Sequence, residues 1–329
     1  MLSKKLLFAL LLTAGLNPAN LPAQDSGCTR RTIAVGVVDS AWNLVPNLGA
    51  ANFRGKLRGH DVQILSAAVD TSPRRIVLLL DASGSMTYSD QGWKTEVTVA
   101  ESLIKLAPPR ASIGQIGFSE RVLDTQDFDQ EPSALLKNLS ALAKVCEEPR
   151  NSLLGTALYD AIARAQRVLG APKVGDVIYA LTDGLDNKSQ AKPRMVEEDL
   201  LGAGVRLFGV FMDLNSAIRR TRMPDEVGAN QFRSIVETTG GSLLTLPYTK
   251  TLWPYINIKA KTADGIVDLA FQRMYQQMGE FYRLDVRLPE TVNKPTKWKL
   301  EVVDSDGKPM KGVEVHYPQE LMSCAKVSP

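Results

Sequence analysis

Three stretches of the chain are predominantly apolar and show no alternation: residues 76–80 (IVLLL), 176–182 (DVIYALT) and 205–212 (VRLFGVFM). Runs of this length without alternation are strands covered on both faces, as in the middle of a parallel sheet. Between and around them the apolar positions recur at helical spacing. Residues 94–106 present Val97, Val99, Ala100, Leu103, Ile104 and Leu106, then stop at Pro108-Pro109. Residues 156–169 carry Ala157, Leu158, Ala161, Ile162, Ala165 and Val168 on one side. Helices are also predicted over 132–145, over 191–203 with a stop at Gly204, and over 231–239 with a stop at Gly240-Gly241. Residues 111–118 and 242–246 read as further strands, and 121–128 as a short edge strand. Strands and helices in this alternation predict an α/β fold, a doubly wound and mostly parallel sheet with helices on both faces.

The flanks have a different texture. Residues 32–38 (TIAVGVV) and 62–65 are short strands, with turns expected at Asn47-Leu48-Gly49 and Phe53-Arg54-Gly55. After Pro254 comes one long amphipathic helix over 264–282. It is followed by strictly alternating runs at 282–288 (YRLDVRL) and 298–303 (WKLEVV), the pattern of half-buried antiparallel strands. A turn at 304–309 leads into 312–317 (GVEVHY), which is expected to close a hairpin. Each flank is too short to fold alone, so the two are expected to pair into one small β unit beside the α/β domain. The organisation is therefore a leader (1–23), a β lead-in (24–73), the α/β domain (74–250), and a helix plus C-terminal strands (251–329).

The leader reads as a secretory signal. Lys4 and Lys5 precede an apolar run of 11 residues at 6–16, broken by Asn17, Pro18 and Pro22 and followed by Ala19 and Ala23. That run is too short to span a bilayer, and no later stretch is long and apolar enough to do so. Cys28 lacks a Leu three residues before it, which argues against a lipid anchor. Removal of the leader takes two lysines and no acid, lowering the net charge from +3 to +1. So even a balance speaks against a nucleic-acid partner. The expected location is periplasmic or extracellular, where disulfides persist. Of the 3 cysteines, Cys28 and Cys324 stand at the two ends of the mature chain and are candidates for a bridge; three free thiols are the alternative. With only 2 His and 3 Cys, any bound metal must rely on oxygen ligands.

Such oxygens are gathered at strand ends. Asp81-Ala82-Ser83-Gly84-Ser85 follows the run 76–80 directly, Thr182-Asp183-Gly184 ends the run 176–182, and Gly155-Thr156 opens the helix 156–169. In an open parallel sheet, ligands bind beyond the carboxyl ends of the strands. Three hydroxyls and two carboxylates without His or Cys suit Mg²⁺ first, with Mn²⁺ or Ca²⁺ as alternatives. The D-x-S-G-S motif, the later Thr and the T-D-G motif, in that order, resemble the metal-ion-dependent adhesion site of von Willebrand factor A domains. The resemblance covers about residues 74–247. It implies that Ser83, Ser85 and Thr156 bind the cation directly and that Asp81 and Asp183 act mostly through coordinated waters. The layout also resembles a bacterial, acidobacterial-type group of exported proteins related to that family. Val35-Gly36-Val37-Val38-Asp39, Leu48 and Phe53 match its lead-in and Tyr282-Arg283-Leu284 its tail. Asn52 stands where that pattern has Asp, and no Gly follows Asp39.

The functional expectation follows from charge. Neutral hydroxyls leave much of the cation's charge uncompensated, and three hydroxyls with two held waters leave one of six positions for an Asp or Glu of a partner protein. The expected activity is metal-dependent protein–protein recognition or adhesion, with a docking role in an envelope or secretion assembly as the alternative. A metal-dependent hydrolase is the weaker reading. No nucleotide-binding glycine loop, zinc-protease or nucleophile-elbow motif is present, and no His lies near the motif in sequence, so the protein is expected not to be an enzyme. Arg219, Arg220 and Arg222 follow the run 205–212 as a loop that is either solvated or able to steer an acidic partner. Asp186 and Asn187 extend the T-D-G loop and are expected to order it. Trp93 is expected to cap the helix beginning near Lys94 rather than to meet a partner. Met274, Tyr275 and Met278 are expected in the core.

Overall fold

The computed structural model describes residues 28–87, 90–106, 111–147, 155–213, 226–247 and 264–324. The expected leader and Arg219, Arg220 and Arg222 lie outside the described residues. Six strands form the α/β sheet: β4 (Arg75–Asp81), β5 (Ser112–Phe118), β6 (Val122–Gln126), β7 (Val177–Thr182), β8 (Arg206–Asp213) and β9 (Leu243–Pro247). Their order is β6-β5-β4-β7-β8-β9, all parallel except the antiparallel edge strand β6. The three apolar, non-alternating runs are thus the three adjacent strands β4, β7 and β8, as the pattern required.

Successive side chains of β4 serve two different cores, because a strand alternates its faces. Ile76, Leu78 and Leu80 pack with one set of helices: α2 (Asp90–Leu106), α3 (Pro132–Glu147) and α7 (Asp264–Gly279). Val77 and Leu79 face the other set: α4 (Leu158–Leu169), α5 (Pro193–Ala203) and α6 (Glu226–Thr238). A one-turn helix, α1 (Gly84–Thr87), separates β4 from α2. Trp93 lies inside α2 and is buried in the first core, so it neither caps the helix nor faces a partner. Met274, Tyr275 and Met278 are core residues. The helix 264–282 of the sequence reading ends sooner, at Gly279, because Phe281 and Tyr282 are drawn into a strand.

The flanks build a seven-stranded antiparallel sheet from β1 (Arg30–Asp39), β2 (Phe53–Leu57), β3 (His60–Asp70), β10 (Phe281–Arg287), β11 (Thr296–Val302), β12 (Val313–His316) and β13 (Glu320–Leu321). Its order is β12-β1-β10-β3-β2-β11-β13, so strands from before and after the α/β domain interleave. Two expectations fail here. Phe53-Arg54-Gly55 is strand rather than turn. Gly55 is needed because a Cβ there would stand 2.9 Å from Val62 Cβ and 3.1 Å from the Trp298 ring, a close approach rather than a reversal. The run 312–317 also closes no hairpin with 298–303. β12 pairs with β1 from Gly36↔His316 to Asp39↔Val313, while β11 takes β2 and β13 as partners. Asn52 does what an Asp could not: its amide nitrogen donates to Val303 O at 3.0 Å while its oxygen accepts from Gly49 N. A disulfide joins Cys28 to Cys324 across a sequence separation of 296.

The α/β domain is inserted between β3 and β10, which are themselves paired, with Phe281 opposite Asp70. The joint is built on Phe281. Arg74 and Arg206 each set a guanidinium 4.4 Å from its ring centre. Arg206, fully buried, also donates to the last carbonyls of α7, Gln277 O and Met278 O, both at 3.0 Å. Burial, and then the charge of Arg74, bring Arg206 down to about 9. All these groups lie at the amino ends of β4 and β8, so the carboxyl ends of the parallel strands are left at the opposite rim.

Candidate metal centre

β4 delivers Asp81 to that rim as its last residue, and α1 begins three residues later. Asp81 and Ser83 are wholly buried, whereas Ser85 is exposed. Ser83 Oγ and Ser85 Oγ stand 3.2 Å apart. Both carboxylate oxygens of Asp81 are already engaged. Oδ1 accepts Ser83 N at 3.0 Å, and Oδ2 accepts the Thr182 hydroxyl at 2.5 Å. The T-D-G loop is tied back in turn: Gly184 N donates to Thr182 Oγ1 and Leu185 N to Asp183 Oδ1, at 3.0 and 3.1 Å. Gly184 has φ +75, a left-handed conformation that favours glycine. Asp183 is buried beside Asp81 and acts on it electrostatically.

Thr156 is brought to the rim from a third direction. It lies two residues ahead of α4 rather than on its first turn, and it is 3% exposed. Its neighbour Ala157 donates to Ser119 O at 2.6 Å, at the end of β5. Asp81, Ser83 and Ser85 are therefore linked by hydrogen bonds or strand position, Asp183 is coupled to Asp81 by charge, and Thr156 is held by the loop that carries Asp183.

Glu96 was not foreseen. It sits on α2, 1% exposed, and its Oε1 accepts the backbone N–H of Asp81. Its Oε2 is buried with no hydrogen-bond partner. The signal was present: Glu96 falls in register with Trp93, Val99, Ala100 and Leu103, a charged residue on an otherwise apolar helical stripe. Burial, and then the negative charge of Asp183, push Asp81 up to about 7. Burial and the charges of Asp81 and Asp183 hold Glu96 well above the usual carboxylate range. Three buried carboxyl groups that repel one another form a pocket short of positive charge. Among the described residues no three His, Cys, Asp or Glu side chains are arranged to hold a metal by themselves. A cation here would need the hydroxyls, and the donor set, all oxygen and partly neutral, fits a hard divalent ion.

An open sheet of order β6-β5-β4-β7-β8-β9 with this rim coincides with a family match. The model of the von Willebrand factor type A domain covers residues 76–238. Residues 76–238 form a VWA domain. Solved structures similar to the chain include the conserved hypothetical protein BatB from Bacteroides thetaiotaomicron, at 15% identity over 60% of this chain and 98% of that one, with a TM-score of 0.41. A von Willebrand factor type A protein from Catenulispora acidiphila is 13% identical over 88% and 72%, with a TM-score of 0.41. The vWF domain of the type V pili tip protein Mfa5 from Porphyromonas gingivalis is 12% identical over 60% and 96%, also at 0.41. No curated protein matches the chain in sequence. No helix among the described residues is long and apolar enough to cross a membrane. The VWA domain thus presents its rim on the side away from the flanking β unit.

Proposed function

We propose that this protein is an exported recognition module, and that the rim of its VWA domain binds an acidic side chain of a partner protein through a divalent cation, Mg²⁺ first. Ser83, Ser85 and Thr156 would hold the ion with their hydroxyls, and Asp81 and Asp183 would act through bound water. The observation that carries the reading is the adjacency of the two serine hydroxyls, 3.2 Å apart, to an Asp81 whose two oxygens are both occupied by donors. When bound, the cation supplies an electrophilic point for a carboxylate from outside. The chain's own residues fix that point. Thr182 and the Ser83 amide orient Asp81, and Glu96 anchors the strand end. On this reading the protein is a binding module rather than an enzyme, and the same rim would serve a docking role in an envelope assembly. Export is supported by the Cys28–Cys324 bridge, since such bonds persist in oxidising compartments.

The test is capture of proteins from a cell-envelope fraction by the wild type and by Ser83→Ala, each in Mg²⁺ and in EDTA. Capture by the wild type in Mg²⁺ alone is expected. Equal capture by Ser83→Ala in EDTA would overturn the proposal.

A further inference from the structure

The loop beyond the T-D-G motif makes more contacts than a turn requires. The backbone N–H of Thr156 donates to Asn187 Oδ1 at 3.0 Å, and Thr156 O accepts from both Asn187 N and Lys188 N at 3.0 Å. One residue of the loop thus answers both backbone groups of Thr156, as a paired strand would. The clamp continues along the start of α4. Tyr159 N donates to Asp186 Oδ2 at 3.2 Å, and Asp160 N to Ser189 Oγ at 3.1 Å. Asp160 returns the contact by accepting Gln190 N and Ala191 N at 3.1 and 2.8 Å. The Ser189 hydroxyl donates to Asp186, closing the network. Thr156 itself is outside the regular helix and has no intrahelical bond to fix its N–H, so its place is set by this loop.

We infer that Asn187 is a positioning residue for the metal centre: it locks Thr156 in the geometry of a ligand before any ion arrives, and couples that ligand to Asp183 on the same loop. The inference rests on the metal reading above. Ordering a residue costs backbone entropy, and a folded loop that has already met this cost leaves none of it to be taken from ion binding. Outer partners that orient metal ligands are worth about 10–100-fold in affinity when removed. Asp81 and Asp183 are likewise held by donors, whereas Ser85 is exposed and, among the described residues, its hydroxyl meets that of Ser83.

The experiment is titration of the metal-free full chain with Mn²⁺, read by electron paramagnetic resonance of the free ion. It is run on the wild type, Asn187→Ala and Asn187→Asp, with the thermal midpoint and amide exchange of Thr156 recorded for each. Asn187→Ala is expected to bind Mn²⁺ about 10–100-fold more weakly and to lose protection at the Thr156 N–H. Asn187→Asp keeps an acceptor for that N–H and should stay near the wild type. If the wild type binds no Mn²⁺, the metal reading fails and this inference falls with it. If the wild type binds and Asn187→Ala binds equally well, the inference alone is overturned. Equal weakening in both variants alongside a lowered thermal midpoint would also overturn it, because that outcome reports a destabilised loop and not a lost positioning contact.

Discussion

The VWA domain and the flanking sheet solve the same problem of burying apolar strands in opposite ways. In the VWA domain each central strand is covered on both faces by helices that are near neighbours in sequence, and the sheet grows outward from β4. In the flanking sheet one face is apolar. Of its six pairings, β1 with β10, β1 with β12, β3 with β10 and β2 with β11 all join strands from opposite ends of the chain. The first arrangement can form from local contacts. The second must wait until both chain ends meet, and loop closure over such a separation is entropically costly. A covalent clip belongs where that cost is greatest, and it is found there.

The largest way to break this contrast is to remove the clip. Cys28→Ser with Cys324→Ser should cost about 2–4 kcal/mol, felt by the β unit first. In hydrogen-exchange measurements, amides of β1 and β10 should lose protection while those of β4 and β7 keep theirs; equal loss in both sheets would show that the two regions unfold as one. A smaller effect is expected from Tyr282→Phe. The buried Tyr282 hydroxyl donates to Val45 O at 2.7 Å and accepts Leu48 N at 3.1 Å, tying the loop after β1 to β10. Its loss leaves a buried N–H unpaired and should cost about 1–3 kcal/mol, measured as a shift in the urea midpoint with unchanged VWA exchange.

The remaining test separates the two regions by sign. Asp81 titrates at about 7 in the folded state against 3.8 for the free group. The native state therefore holds its proton more tightly than the unfolded chain does, and metal-free stability of the VWA domain should fall as pH rises from about 4 to 7. The slope is at most about 1.4 kcal/mol per pH unit. In the β unit, Asp285 is held below its usual range by the Thr32 hydroxyl and that of Ser66, and Asp39 by backbone N–H groups, Asn43 first. Those carboxylates stabilise the fold above their ordinary range and lose that contribution on acidification. Local exchange in EDTA should show the VWA amides losing protection as pH rises from about 4 to 7, and the β-unit amides holding theirs over that range and losing it only on acidification below about pH 4.

Legibility in the sequence follows the same division. Runs such as 76–80 and 176–182 announce central parallel strands because their apolar residues do not alternate with polar ones, and the motif residues Asp81, Ser83 and Asp183 could be placed at strand ends from those runs alone. Phe53-Arg54-Gly55 could not be read correctly, because its glycine answers to Val62 on the next strand and to Trp298, far along the chain. β12 was assigned to the wrong partner for a related reason: a turn at 304–309 signals reversal but says nothing about which strand waits on the other side. At the rim, Asn187 is expected from the sequence to order its own loop, but its partner is not readable there. Its bond to Thr156 crosses 31 positions and leaves no periodic trace.

The bridge between Cys28 and Cys324 has one more consequence. A pull applied through the chain segments before the first cysteine and after the second meets the sulfur–sulfur bond directly, and the 296-position loop it closes carries no tension. Tension between the two chain ends therefore bypasses the VWA domain until that bond is reduced.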